Sequence, residues 1–280
     1  MKIFLLGLFS ITALNAWGLP CNGETGILRL NPDGSNGGYV ANTAVVGELV
    51  YLDETVEVCD HSKVLDNSII QGNIKIKDSA VVSEFAVVLG NGVIAKEAQI
   101  KGFSTVNLVC STSVCGIRGR AVIYDRAEVF GSSLVEGDAQ IFGDAKVLDS
   151  VVKDYARVYG DAYVSSAIIS GRAGVQESAK VLSGIVTDYA LVYGEASIDG
   201  LNTVVSGWGQ LYDQAKLLEN GMITGKSEVF GYSIIKGIVR GSGRVYDNAI
   251  VEETGVVEGF ARVFGTAVII DVVAESTNTN

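Results

Sequence analysis

The chain has 280 residues, of which 34 are glycine and only two are proline, and its formal net charge is −11 at pH 7. That charge disfavours nucleic acid and anionic membranes as partners, because both are themselves negatively charged. Abundant glycine together with 48% hydrophobic residues favours a β-rich fold with many tight corners over a helical fold.

Residues 1–18 predict a signal peptide. Lys2 supplies a positive n-region, an apolar stretch runs from Ile3 to Leu14, and small residues allow cleavage before Leu19. The apolar stretch is too short to span a bilayer. We therefore expect a protein that is exported to the periplasm, the cell surface or the extracellular space, with no membrane insertion.

Residues 19–39 precede the main repeat and are expected to cap it. Export favours disulfides, and the four cysteines allow three pairings. We favour Cys110–Cys115, which closes a small loop, and Cys21–Cys59, which ties down the cap. Neither a metal site nor a cofactor is expected, since the chain has no CxxC motif and one histidine.

An aliphatic side chain recurs at every sixth position through the first part of the repeat. The column consists of Val40, Val46, Leu52, Val58, Val64, Ile70, Ile76, Val82, Val88, Ile94, Ile100 and Val106. A chain that turns a corner every six residues produces this spacing, whereas a helix or a flat strand does not. The column resumes at Ile123 and continues to Ile269, with three steps to each coil and one step shortened in the coils of the middle.

The sequence therefore predicts an all-β protein built as a single-stranded, three-faced parallel β-helix of about 13 coils over residues 40–273. A break is expected at residues 110–118, because Thr112 and Arg118 fall where aliphatic residues should stand. A small residue follows four positions after most inward aliphatics, as a tight corner requires. The polar segment 274–280 predicts a disordered tail.

Three segments carry a resemblance to a known family: Ala156 to Ala162, with its relatives Ala190 to Ala196 and Ala261 to Ala267. They resemble the hexapeptide-repeat superfamily of left-handed parallel β-helices. The entry segment from Gly37 to Ala44 is similar to the solenoid start of exported bacterial members that have no known activity. The resemblance implies left-handed coiling, and it does not distinguish enzymes from structural rods.

Two kinds of residue are catalytic candidates. The superfamily includes acyltransferases, which the resemblance implies would need a histidine base, and His61 beside Asp60 is the only candidate. A γ-class carbonic anhydrase would need three histidines. A glycan-cleaving site would need clustered aspartates, but those present fall at corners, where Asp commonly caps backbone. They are Asp125, Asp138, Asp144, Asp154, Asp161 and Asp188.

One outward column is rich in aromatic rings. The residue directly after the inward aliphatic on every third hexad is aromatic in eight of nine coils, with Gln176 as the exception. The eight rings belong to Tyr124, Phe142, Tyr159, Tyr193, Tyr212, Phe230, Tyr246 and Phe264. We call this column the aromatic ladder, and such stacked rings either stabilise the repeat or bind a partner.

The same face in the N-terminal half is expected to carry no rings, which would confine a binding surface to residues 120–265. The residues assigned to it are Asp53, Gln71, Leu89 and Asn107.

We expect an exported, non-enzymatic β-solenoid with a structural or adhesive role at a bacterial cell surface or in the periplasm. Its partners would be further copies of itself, as a trimer or end to end, or a cell-surface glycan or protein. The alternative is an acyltransferase that uses His61.

Overall fold

The computed structural model describes residues 19–111, 115–274 and 278–279. The protein is an all-β parallel solenoid of about 13 coils, as the sequence predicts. Almost every strand pairs in parallel with the strand that lies one coil further along the chain. Near the N-terminus Val88 pairs with Val106, and in the middle of the rod Ile141 pairs with Val158, so the middle coil is the shorter by a single residue.

The pairings form three series, which we call the first, second and third strand stacks. The first comprises Asn36–Ala41, Glu57–Val58, Asn73–Ile76, Val87–Ile94, Gly116–Ile117, Leu134–Val135, Val151–Val152, Ala167–Ile169, Gly184–Val186, Val204–Val205, Met222–Ile223, Ile238–Val239, Val256–Val257 and Val272–Val273.

The second comprises Val45–Val46, Lys63–Val64, Val81–Val82, Gln99–Ile100, Val122–Ile123, Gln140–Ile141, Arg157–Val158, Gly174–Val175, Leu191–Val192, Gln210–Leu211, Glu228–Val229, Arg244–Val245, Arg262–Val263 and Asn278–Thr279. The third comprises Tyr51–Leu52, Ile69–Ile70, the start of Val87–Ile94, Thr105–Val109, Glu128–Gly131, Lys146–Leu148, Tyr163–Ser165, Lys180–Val181, Ser197–Asp199, Lys216–Leu218, Ile234–Ile235, Ile250–Val251 and Val268–Ile269.

A single hydrophobic core runs along the axis and contains the predicted aliphatic column. Its members are fully buried from Leu52 to Val263, while Val40 and Val46 in the first coil are partly buried against it. Alanine, serine and glycine occupy most of the inward corner positions, whereas Val50, Val56 and Ile74 occupy three of them in the N-terminal coils. Val205 also belongs to the column, at a step that the hexad spacing misses because the coil from Val192 to Leu211 is longer than the coils on either side.

The break is a five-residue insertion within one coil. Ile94 pairs with Ile117, five positions later than the regular repeat would place its partner, and Ile117 pairs in turn with Val135. Ile117 is fully buried, so the inward position belongs to it and the expectation for Arg118 is wrong. Thr112 lies outside the described residues. The core is therefore continuous across the insertion, which Cys110–Cys115 closes with a Cα–Cα distance of 5.6 Å.

The cap at the N-terminal end is a short 3₁₀ turn, Pro20–Gly23, followed by the strand Gly26–Leu30, which pairs antiparallel with Asn36–Ala41. The Cys21–Cys59 disulfide joins this turn to the rod, with a Cα–Cα distance of 5.2 Å. The buried Asn31 side chain exchanges two hydrogen bonds of 2.9 Å with the backbone of Leu52. Both disulfides are thus the pairs favoured from the sequence.

The two ends of the chain carry further predictions. The predicted signal peptide, residues 1–18, lies outside the described residues. Within the predicted tail, Asn278 and Thr279 pair in parallel with Arg262 and Val263, while residues 275–277 and 280 are not among those described. Across the described segments no helix is both long and apolar enough to cross a bilayer.

The corner carboxylates hold backbone N–H groups of the next coil. Asp125, Asp154 and Asp188 have left-handed backbone conformations, and each accepts a backbone N–H from a glycine 17 to 19 residues later. Asp138 and Asp144 instead form ion pairs with Arg120 and Arg126. In these five of the six candidate aspartates, the carboxylate oxygens are engaged in the corner architecture.

Candidate binding surface

The aromatic ladder lies along one edge of the second strand stack. Each ring belongs to the residue directly after a strand of that stack, and each side chain is half-buried. Successive rings are stacked nearly parallel, with centroids 4.7 to 5.4 Å apart. This spacing matches the separation of about 4.8 Å between adjacent strands.

Gln176 divides the ladder into two stacks. Tyr124, Phe142 and Tyr159 form a stack of three rings, and Tyr193 begins a stack of five that ends at Phe264. The hydroxyl of Tyr193 donates a hydrogen bond of 3.2 Å to the side-chain oxygen of Gln210. Burial in the stack raises the pKa of Tyr212 to about 12, with smaller contributions from Tyr193 and nearby carboxylates.

The N-terminal part of this column differs from the predicted one. Ile100 pairs with Ile123, so Lys101 precedes Tyr124 in the ladder column, and its amino group lies 5.7 Å from the centre of that ring. The earlier members are Gly47, Leu65 and Ser83. The predicted residues Asp53, Gln71, Leu89 and Asn107 follow the third stack instead, where Asn107 pairs with Phe130.

The physical reason for this correction is the insertion. The coil that contains the insertion is five residues longer than a regular coil. Counting back from Tyr124 by a regular coil length therefore assigns the N-terminal residues to the third stack instead of the second. The expectation of a ring-free N-terminal column still holds with the correct residues.

A second aromatic column, which the sequence analysis missed, lies along the other edge of the same stack. Tyr155, Arg172, Tyr189 and Trp208 each stand two positions before a strand of the second stack. The Arg172 guanidinium lies 5.5 Å from the Tyr155 ring centre and 5.6 Å from that of Tyr189, and Tyr189 stacks on Trp208 at 4.3 Å. The three rings are 55%, 42% and 56% exposed. We call these four residues the edge stack.

The signal for the edge stack is present in the sequence. Each member precedes a ladder position by four residues, and the members recur once per coil. The arginine in the middle conceals the pattern from a search for rings alone, although a guanidinium plane stacks on aromatic faces much as a ring does.

Between the two edges run the outward side chains of the second stack itself. We call the whole surface, from the edge column through these side chains to the ladder, the aromatic face. Between residues 120 and 264 it presents six cationic side chains, Arg120, Arg157, Arg172, Lys226, Arg244 and Arg262. It presents two acidic ones, Asp138 and Glu228. Its excess of positive charge is opposite in sign to the charge of the whole chain.

A groove crosses the aromatic face where the ladder is interrupted. Its floor is formed by Ala173 and Gly174, and its volume is about 390 Å³. The lining side chains are Tyr155, Arg157, Tyr159, Arg172 and Leu191. Gly174 stands where the neighbouring coils place Arg157 and Leu191, so the missing side chain opens the groove.

The alternative catalytic residue, His61, is an exposed corner residue near the N-terminal end. The neighbouring Asp60 carboxylate, which could have oriented an imidazole, accepts the backbone N–H of Asp78 at 2.8 Å. Hydrogen bonding to this N–H is the largest influence that lowers the pKa of Asp60. The geometry therefore uses Asp60 as a corner cap.

One cluster has the proximity of a metal site, formed by Cys21, Glu57 and Cys59. The two sulfurs are bonded to each other, so they are not available as thiolate ligands.

In comparisons with known proteins, no protein-family model matches the chain and no curated protein sequence matches it significantly. The resemblance to the hexapeptide-repeat superfamily therefore stays a prediction, and a function has to be inferred from the surface described above.

Proposed function

We propose that the protein is an exported, non-enzymatic rod that binds a macromolecular partner through its aromatic face. The observation that carries the proposal is the pair of aromatic columns along the two edges of the second strand stack. Contiguous exposed aromatic surface on a soluble protein commonly marks an interaction site. The parallel solenoid supports the proposal because it keeps the side chains of successive coils in register.

The edge stack gives the stronger support. The half-buried rings of the ladder also stabilise the coils on which they stack, by about 0.5–1.5 kcal/mol per pair. The rings of the edge stack are about half exposed and lie outside the hydrophobic core. Their exposure on the surface favours a role in contact.

Export is supported by the two disulfides, since such bonds persist in oxidising compartments. One of them anchors the cap that covers the first coil, as a rod exposed to proteases would require. The adhesive role places the aromatic face outside the cytoplasm, where it can meet a cell-surface glycan, a protein or another copy of the chain.

The test compares the wild type with the Tyr189→Ala/Trp208→Ala variant and the Tyr193→Ala/Tyr212→Ala variant in cell-surface adhesion and sedimentation. A contact surface predicts that both variants lose adhesion or self-association by a larger factor than their melting temperatures explain.

The matched control is Phe85→Ala/Phe103→Ala, which removes an exposed stacked pair, with centroids 4.9 Å apart, at a corner in the N-terminal half. Unchanged adhesion and sedimentation in both aromatic-face variants would refute the proposal. An equal loss in the control would show that exposed rings act non-specifically.

A further inference from the structure

We infer that the groove over Gly174 binds an acidic sugar chain, whose carboxylates pair with Arg157 and Arg172. The inference rests on the proposed function, since it names the ligand class of the aromatic face.

Two arginines, Arg157 and Arg172, line the groove. Neither Arg157 nor Arg172 forms an ion pair within the segments that the structure describes, whereas Arg120, Arg126, Arg240 and Arg244 each pair with a carboxylate. The chain has 32 acidic residues and only 21 basic ones, so most cations are expected to pair with a carboxylate. Two guanidinium groups without an ion pair in one groove are therefore unusual for this chain. Guanidinium donors match the two oxygens of a carboxylate.

The Arg172 side chain is held in a fixed orientation by two rings. Tyr155 and Tyr189 cover its guanidinium from both sides, at 5.5 and 5.6 Å from the two ring centres. The N–H groups at the edge of the plane remain the donors for an oxygen ligand. Because the sandwich already orders the side chain, binding loses less rotamer entropy than it would with a free arginine.

The groove is large enough for a sugar unit. The groove volume of about 390 Å³ lies within the range of about 300–1,000 Å³ that is usual for small-ligand sites. In the same outward column, other coils carry Gln140, Leu191 and Gln210. Among the described strands of the second stack, Gly174 is the only glycine at the outward position, so the floor is low there, where the ladder also lacks its ring.

The aromatic rings of the groove suit a sugar chain better than a nucleic acid. Single-stranded nucleic acids bind by stacking bases on free aromatic faces. In the groove Arg172 covers one face of Tyr155 and Phe142 covers one face of Tyr159, and the ring edges and hydroxyls are left for sugar hydroxyl and C–H groups.

The experiment measures binding of alginate oligosaccharides, which are chains of uronic acids, to the full exported protein by calorimetry. Arg157→Gln/Arg172→Gln should weaken binding at least about tenfold. The charge-matched control, Lys180→Gln/Lys216→Gln, changes cations of the third stack and should leave the affinity unchanged. Neutral cello-oligosaccharides of the same length should bind more weakly than alginate.

A second variant keeps both arginines. Gly174→Gln introduces the residue that three other coils carry in this column, Gln99, Gln140 and Gln210. The nearest atom to its Cβ would be a flexible Leu191 methyl at 3.0 Å. It should fill the groove and weaken alginate binding with little change in melting temperature.

Absence of alginate binding by the wild type, an unaffected affinity in the arginine variant, or tighter binding of oligothymidylate would each overturn the inference. If adhesion still depended on Tyr189 and Trp208, the proposed function would stand without it.

Discussion

The two parts of the rod on either side of the Cys110–Cys115 insertion share one core but differ on the surface of the second strand stack. Before the insertion, the ladder column holds Gly47, Leu65, Ser83 and Lys101. After it, eight of nine positions are rings, and the edge stack accompanies them. The inward positions of both parts are the same aliphatic and small residues.

This difference distinguishes the residues that the fold requires from those that vary on its outer surface. A corner every six residues requires an inward aliphatic, which both halves supply, and most corners of both halves also have a small neighbour. Rings on the outside are not required, since the N-terminal coils form without them in this column. We therefore attribute the fold to the inward pattern and propose the C-terminal surface as the place of binding.

The largest expected effect concerns the shared core. Val158→Asp and Val64→Asp each place a charge at a fully buried position. Each should destabilise the protein by about 4 kcal/mol. Arg157→Ala, one residue outward, should change stability by less than about 0.5 kcal/mol. Thermal denaturation of the three variants checks this, and a mild effect of Val64→Asp alone would show that the halves do not share one core.

The second-largest effect compares the two disulfides, which lie at the two ends of the N-terminal half. Cys21–Cys59 spans 38 residues and Cys110–Cys115 spans five. Loop-closure entropy predicts a loss of about 4 kcal/mol when the first is removed and about 2 kcal/mol for the second. Denaturant unfolding of the two Cys→Ser double variants measures both losses.

Mass spectrometry of the wild type should find the same two linkages and no free thiol. An equal loss of stability in the two double variants would contradict the view that the first bond anchors the cap.

The sequence predicts the fold well because the inward pattern is obligatory. From Val40 to Val106 each step is six residues, and the structure buries that column as expected. The insertion and the coil with Val205 are irregular, so hexad counting fails there: Ile117 replaces Arg118, and the ladder column changes its N-terminal members.

The candidate binding surface is predicted less completely from the sequence, because it depends on the register between coils. The ladder is visible at fixed spacing, whereas the edge stack mixes Tyr155, Arg172, Tyr189 and Trp208. The groove depends on an absent side chain at Gly174, which acquires meaning only when Arg157 and Arg172 are seen beside it.

The third effect concerns the ladder, which only the C-terminal part possesses. Tyr212 stacks on two rings and Tyr193 on one, so Tyr212→Ala should cost about twice as much as Tyr193→Ala, at about 0.5–1.5 kcal/mol per pair. Gln176→Tyr should stabilise the rod by joining the two stacks. Leu65→Ala, in the ring-free part of the column, is the control for side-chain truncation, and melting temperatures of the four variants compare the effects.

The smallest effect is a pH dependence that arises from Tyr212. Burial raises the pKa of its hydroxyl from the usual 10.0 to about 12. Because the folded pKa is the higher one, the stability it contributes is fully present below about pH 10 and is lost as the pH rises through about 12. The side chain is only half-buried and solvent screens it, so the loss should stay below about 1 kcal/mol.

Tyr212→Phe keeps the ring and removes the titration, so the wild type should lose more stability than this variant between those pH values. Tyr246→Phe serves as a control, because it changes a hydroxyl of the same stack. Parallel melting curves for wild type and Tyr212→Phe across that range would mean that ladder burial does not hold Tyr212 neutral, which would weaken the contrast between the ladder and the ring-free column before it.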